Sequence, residues 1–246
     1  MSGAYQSVFA RVEKKFLLDA ASAGFMADTL GEHGFEELCF GSPLVQSIYY
    51  DTQDALLVRR SVERPAYKEK LRLRAYGRPG PDSPAYIEIK KKAGGIVYKR
   101  RTGLPLAEAE AAVAAGSLPA SAGQIGREIE WFIRRYGGLR PTAITICERR
   151  SFEKPSEGLR VTFDRGLRCR TRDFDLTRPA AGLPLLPPGT VLMEVKVPGA
   201  YPLWLADALW ACGARQAHFS KYGTAWSLYI RPQCGHTMER EAFRSA

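Results

Sequence analysis

The sequence predicts a single α+β domain in which antiparallel strands carry most of the structure. Three observations point there. Segments 67–76 and 86–92 alternate apolar and charged residues with a period of two, as half-buried strands do. Gly94-Gly95 then makes a tight connection into Ile96–Thr102, so those last two strands are antiparallel neighbours. Helical periodicity is confined to short stretches between strands, with no internal repeat and no linker. Residues 1–246 therefore read as one domain, with a core over 8–230 and a tail over 231–246.

The elements follow in chain order. Residues 8–17 alternate, and Asp19 caps a helix running to Leu30. Val45–Tyr50 reads as a buried strand, with Asp51 and Thr52 opening a turn. The Gly/Pro-rich stretch from Arg78 to Pro84 separates the two alternating segments. Pro105 suits the first turn of an Ala/Glu-rich helix to Ala115. Ile125, Ile129, Phe132, Ile133 and Tyr136 form the apolar face of a second helix. Strands resume at 143–152, 159–164, 167–173 and 190–197, the last two separated by a Pro-rich loop. Pro202 starts an amphipathic helix, and a last helical or mixed segment covers 219–230.

Composition narrows the classes of function. The 36 Lys and Arg exceed the 26 Asp and Glu by ten, which favours an anionic partner without choosing among nucleic acid, membrane surface and phosphate-rich small molecules. Cysteines 39, 147, 169, 212 and 234 have no zinc or redox spacing and read as free thiols in a reducing compartment. There is no secretion signal, and the longest apolar stretch, Tyr201–Ala214, is too short to span a bilayer. A soluble, cytoplasmic protein is expected.

The strands carry their chemistry on one face. Arg11, Glu13 and Lys15 oppose Val12 and Phe16, and Lys68, Lys70, Arg72 and Arg74 oppose Leu71 and Leu73. Glu88 and Lys90 oppose Ile87 and Ile89, while Glu194 and Lys196 oppose Met193, Val195 and Val197. Arg160 and the ladder Arg168, Arg170 and Arg172 extend the cationic bias. A solvated sheet face is one reading, but such faces mix charge signs. Like charges on neighbouring strands repel unless something neutralises them, so an anion-filled interior is the other. A Glu two residues before a Lys recurs at 13/15, 88/90 and 194/196. Carboxylates converging among phosphate-binding cations would suit the hard ions Mg²⁺ or Mn²⁺.

In order along the chain, R-x-E-x-K (Arg11, Glu13, Lys15), Y-Y-D (Tyr49–Asp51), R-x-R (Arg72, Arg74), E-x-K (Glu88, Lys90) and K-x-R (Lys99, Arg101) resemble the VTC domain. So do R-x-x-F (Arg149, Phe152), R-x-T-x-D (Arg160, Asp164), E-V-K (Glu194–Lys196) and F-S-K-Y (Phe219–Tyr222). This domain is the polyphosphate polymerase module of the vacuolar transporter chaperone complex, within the triphosphate tunnel metalloenzymes (CYTH-like). The resemblance implies a closed antiparallel β-barrel tunnel of about eight strands with flanking helices. It also implies transfer of the ATP γ-phosphate onto polyphosphate. It makes Lys15, Arg72, Arg74, Lys90, Lys99, Arg149, Arg160, Lys196 and Lys221 phosphate ligands, with Arg11, Lys70, Arg101 and His218 as lesser candidates. Glu194 would be the main metal ligand, with Glu13 and Glu88 beside it. His218 stands where yeast-type members have a lysine, and Arg11 where the wider superfamily has the first Glu of E-x-E-x-K. The second departure favours a polymerase over triphosphatase or cyclase relatives.

The chemistry stands beside the resemblance. Phosphoryl transfer needs positioning and charge stabilisation rather than a nucleophilic side chain when the acceptor is itself a phosphate. No P-loop, Rossmann motif or nucleophile triad is present. The expected partners are ATP and polyphosphate (or tripolyphosphate and pyrophosphate), with no membrane segment in the chain though a membrane partner protein is compatible. A tripolyphosphatase or nucleoside triphosphatase on the same scaffold is one alternative. A non-catalytic polyanion or nucleic-acid binding module is another, but aromatic residues are not interleaved with the cationic strand faces.

Overall fold

The computed structural model describes residues 8–9, 12–39, 41–63, 65–94 and 96–232. Arg11, Gly95 of the hairpin, and residues 233–246 of the tail lie outside them.

β1 (Val8–Phe9) leads into β2 (Val12–Leu18), and Asp19 then accepts a hydrogen bond from the Ser22 amide at 2.7 Å to start α1 (Ala20–Glu32). β3 (Glu36–Glu37) and β4 (Leu44–Asp51) precede α2 (Leu56–Val62), a helix with no apolar signature long enough to predict. Asp51 and Thr52 do more than turn the chain. The Asp51 carboxylate accepts from the amides of Leu57 (2.8 Å) and Val58 (2.9 Å), and the Thr52 hydroxyl from that of Leu56 (2.8 Å), so they satisfy the open end of α2.

The long strands β5 (Tyr67–Tyr76), β6 (Pro84–Ala93) and β7 (Ile96–Pro105) pair consecutively and antiparallel, as the alternation predicts. Pro105 lies just outside α3 (Leu106–Ala115), as its N-cap, and α4 (Gly123–Arg135) buries Ile129, Phe132 and Ile133. β8 (Arg140–Lys154) and β9 (Leu159–Arg170) follow, then β10 (Leu183–Pro184) and β11 (Val191–Val197). α5 (Leu203–Ala211) buries Leu205 and Leu209 but exposes Leu203 and Trp210, so its polar face is less polar than predicted. β12 (Arg215–Gln216) and α6 (Lys221–Ala225) complete the fold, α6 continuing as a π-helical turn over Trp226–Ile230.

The two strands expected at 159–164 and 167–173 are one strand. Opposite them on β8, the register slips between Ile146 and Glu148, where Gly166 takes φ +56°. This bulge inserts one residue and exchanges the faces of everything after it. Leu167 and Cys169 therefore continue the face of Asp164, and Arg168 and Arg170 turn away from it. Arg168 donates to the carbonyl of Ala180 (2.5 Å) and Arg170 to those of Pro179 (2.8 Å) and Asp175 (2.6 Å). Arg172 falls beyond the strand, in an exposed bend. The predicted ladder of cations thus pins a loop and does not join the cationic face.

All twelve strands belong to one sheet, ordered β1-β7-β6-β5-β4-β8-β9-β11-β2-β12, with β10 on β9 and β3 on β8. Among the described residues the pairing starts at β1 and ends at β12, so the ladder is a sheet and not the closed ring expected. It is strongly curved. Glu13 on β2 meets Lys90 on β6 at 3.3 Å although five strands lie between them in the hydrogen-bonded order. The outer face is buried under α1 and α5 on one side and α3 and α4 on the other. One end of the inner face is filled by Leu167, Leu192, Tyr222 and Trp226, and the rest is charged. No described helix is long and apolar enough to cross a membrane.

Asp51, fully buried, also accepts from the Tyr222 hydroxyl at 2.7 Å and so ties α6 to β4 and α2. Tyr222→Phe should lower the free energy of unfolding by about 1 kcal/mol. Asp51→Ala, which removes the acceptor of the Thr52, Leu57 and Val58 amides and of the Tyr222 hydroxyl, should cost about 3 kcal/mol. Urea denaturation monitored by tryptophan fluorescence measures both, and equal small effects would show that Asp51 is not the anchor.

Candidate functional site

The charged part of the inner face is built by alternation on seven strands, β2, β5, β6, β7, β8, β9 and β11, and closed by the segment before α6. Arg72 on β5 donates to Glu88 on β6 at 2.6 Å, and from β7 Lys99 meets the other Glu88 oxygen at 2.7 Å and Arg101 at 3.7 Å. Arg74 donates to the Ser47 hydroxyl at 3.1 Å. On the far side Arg149 makes two 2.6 Å hydrogen bonds to Asp164, which Lys221 also approaches at 2.5 Å. Such a bidentate fork fixes the guanidinium plane. Glu194 is held more loosely, with Lys15 and Lys221 at 3.4 Å and Lys196 at 3.9 Å. Lys15 bridges Glu194 to Glu13, again at 3.4 Å, and donates to the Phe219 carbonyl at 2.9 Å. Lys70 donates to the Ser220 hydroxyl at 3.0 Å, so the stretch 219–221 is seated by the site itself.

The sequence-predicted cations converge. Lys15, Lys70, Arg72, Arg74, Lys90, Lys99, Arg101, Arg149, Lys196 and Lys221 share the inner face, with Arg160 alternating beside Thr162 and Asp164 on β9. Among the described residues these cations outnumber the carboxylates Glu13, Glu88, Asp164 and Glu194 that stand among them, so the face is net positive. His218 is exposed at the lead-in to Ser220. Glu88 does not stand with Glu13 and Glu194, because Arg72 and Lys99 occupy its two oxygens.

Two residues gained importance only in three dimensions. Asp164, completely buried, is the counter-charge of both Arg149 and Lys221, although in sequence it was one more letter of R-x-T-x-D. Tyr49 stacks on Tyr222 at 4.7 Å and receives a hydrogen bond from Arg72 at 3.4 Å. The alternation of β4 alone places Tyr49 on this face, and Y-Y-D was the available signal.

The electrostatics register the crowding. Burial pushes the Glu13 carboxyl up, but Lys90 and then Lys15 and Lys196 outweigh it and hold the group at about 2. Asp164 is likewise held at about 2, burial being overcome by Lys221 and Arg149. Glu194 lies well below the usual carboxylate range because Lys221, Lys15 and Lys196 defeat its burial. Among the lysines burial acts first and like charge assists: Lys70 falls to about 8 with Lys90 and Lys15 nearby, and Lys196 and Lys99 fall to about 8 despite Glu194 and Glu88. The Tyr49 phenol, which burial would raise, is drawn down to about 7 by Arg72, Lys70 and Arg74. At an effective dielectric of about 20, each uncompensated pair of cations about 6 Å apart costs about 3 kcal/mol. The arrangement is suited to holding a multiply charged anion.

The VTC domain family model matches residues 10–230. The fold is similar to a putative adenylate cyclase from Bacillus halodurans, with TM-score 0.53 and 15% identity over 87% of this chain and 96% of that one. A chain of the Schizosaccharomyces pombe Mediator head module aligns at TM-score 0.42 and 11% identity, over 89% of this chain and 95% of that one. No curated protein sequence matches the chain.

The depressed lysines set a pH dependence of stability. Lys70, Lys99 and Lys196 release their protons near pH 8 when folded, against a reference value of 10.5. Tyr49 does so near 7 against 10. Between these limits the unfolded chain binds more protons, so stability rises with pH. The buried thiols Cys147 and Cys169, raised to about 12 and about 11 from 9, offset part of that rise above pH 9. At low salt the melting temperature of the ligand-free protein should therefore climb from pH 7 to pH 9. A fall across that range would contradict the assignment.

Proposed function

The chain belongs to the VTC domain family, and we propose that it is a metal-dependent polyphosphate polymerase working in the cytoplasm, with its curved sheet closed into a tunnel around the substrate. The observation that carries the reading is the excess of cations over carboxylates on the inner face among the described residues, gathered from seven strands and α6. A polyphosphate carries about one charge per phosphorus, so a bound run of several phosphates would offset that excess. Arg72, Arg74 and Arg149, each with its plane set by a neighbour, would bind phosphate oxygens in pairs, and the lysines would act as point charges.

The reaction needs little else from the chain. A terminal phosphate oxygen of the polymer attacks the γ-phosphorus of ATP, the new P–O bond forms, and the bond to the β-phosphate oxygen breaks to leave ADP. No side chain must remove a proton, because the attacking oxygen is already ionised. The cations stabilise the equatorial and leaving oxygens, an effect worth about 2–4 kcal/mol per donor.

A divalent metal fits Glu194 and Glu13. Both carboxylates stay ionised, both flank Lys15 at 3.4 Å, and neither makes an ionic contact shorter than 3.3 Å. Mg²⁺ or Mn²⁺ is held by one or two carboxylates plus phosphate oxygens, and when bound would neutralise charge on the β- and γ-phosphates. Glu88 is left as the holder of Arg72, Lys99 and Arg101.

One observation favours hydrolysis instead. A phenol drawn to about 7 beside Arg72, as Tyr49 is, could take a proton from water attacking a triphosphate. Products separate the readings. Incubation with ATP and Mn²⁺ should yield long-chain polyphosphate and ADP, whereas orthophosphate alone would establish a triphosphatase.

Two variants test the site. Arg72→Ala should reduce turnover about 30- to 1000-fold while the protein still folds. Glu194→Gln should retain tripolyphosphate binding, seen as a thermal shift, and lose turnover by orders of magnitude. Near-normal metal-dependent turnover in Glu194→Gln would place the metal elsewhere.

A further inference from the structure

We propose that Tyr86, Arg101 and Tyr76 form a platform for the nucleobase of a nucleoside triphosphate whose phosphates lie on Arg72, Arg74 and Lys99. The inference rests on the phosphate-binding reading of the inner face and extends it to the part of the substrate that is not phosphate.

Alternation puts all three side chains on the charged face. Tyr76 lies two residues beyond Arg74 on β5, and Tyr86 two residues beyond Glu88 on β6. In register Tyr86 stands opposite Arg74 on one side and Gly103 on the other. Gly103 has a specific use here, since a Cβ at that position would come within 3.2 Å of the Tyr86 ring. The ring thus lies close over the backbone of β7, and Gly103 permits it.

The Arg101 guanidinium is 3.4 Å from the Tyr86 ring centre, a stacked cation–π pair, and Tyr76 meets Tyr86 edge-on at 6.0 Å. All three side chains are partly exposed. The core beneath these strands is formed by their opposite face, through Leu71, Leu73, Ile87 and Ile89. Tyr76 also packs against the apolar end of the inner face, whereas Tyr86 and Arg101 belong to no apolar cluster among the described residues. Flat aromatic and guanidinium surfaces are what unpaired bases stack on.

The spacing fits one molecule across both parts. Tyr86 stands directly across from Arg74 and Tyr76 lies two residues, about 7 Å, along the strand from it, so a base on these rings is within reach of a phosphate on Arg74. An inorganic polyphosphate has no group that would use this surface. The platform would therefore separate the nucleotide donor from the polymer among ligands that share the same phosphate chemistry.

The test is calorimetric titration of the full chain with ATP and, separately, with tripolyphosphate. Tyr86→Leu keeps every lumenal charge. It should weaken ATP about tenfold or more and leave tripolyphosphate within about twofold, which also shows that the variant is folded. Tyr86→Phe should keep ATP affinity within about twofold, because stacking needs the ring and not the hydroxyl. If Tyr86→Leu weakens both ligands equally, or neither, the platform is wrong and the phosphate site stands. If the wild-type protein binds neither ligand at low salt, the phosphate-binding reading fails and the platform fails with it.

Discussion

Charges of one sign placed two residues apart on a strand repel along it, and when they also stand opposite one another across a ladder they repel across it. The inner face of this sheet accepts both penalties at once. Lys70 stands opposite Lys90, and Lys90 opposite Lys99, with no carboxylate in that row. Two carboxylates stand where several cations meet: Glu88 against Arg72, Lys99 and Arg101, and Asp164 against Arg149 and Lys221. The remaining fold supports that arrangement. Two apolar clusters on the outer face supply cohesion that the inner face cannot.

The curvature is what turns a row of strands into a site. Without it Glu13 and Lys90 would be separated by six strand spacings of about 4.8 Å each. With it they touch. At the other end of the inner face the charged rows give way to Leu17, Leu192, Leu167 and Tyr222, so β2, β9 and β11 change from charged to apolar lining along their length. The C-terminal segment takes part in both regions: Tyr222 packs in the apolar end through Tyr49 and Asp51, while Ser220 and Lys221 point among the cations. A site assembled from seven strands thus depends on a short helix whose anchor is one buried aspartate.

Much of this was legible in the sequence because a period of two reports the face of each residue from its neighbours alone. β5, β6 and β11 keep the faces the alternation assigns, and the residues grouped there do converge. What was not legible depended on a partner strand. Arg168 and Arg170 continue the alternation of their own segment without a flaw, yet the slip opposite Ile146 and Glu148 reverses them. α2 was invisible for a different reason: its amides are capped by Asp51 and Thr52, four to seven residues upstream, and not by its own N-cap, Ala55 in the left-handed region. Asp164 carried no mark of its rank, since burial and two cationic partners are acquired only on folding.

The distances within the cluster divide its carboxylates by role. Glu88 and Asp164 make contacts of 2.5–2.7 Å with the cations nearest them, short enough to fix guanidinium planes before any ligand arrives. Preorganised donors contribute most when charge develops, because they need not turn to meet it. Glu13 and Glu194 have ionic contacts no closer than 3.3 Å, although Glu194 is almost as buried as the others. A buried carboxylate without a short partner costs more than one with it. On the polymerase reading that cost has a use: the loosely held pair can give up its lysines to phosphate and take a divalent ion in exchange, so substrate and metal enter together. The two tightly held carboxylates keep the arginines in place while that exchange occurs.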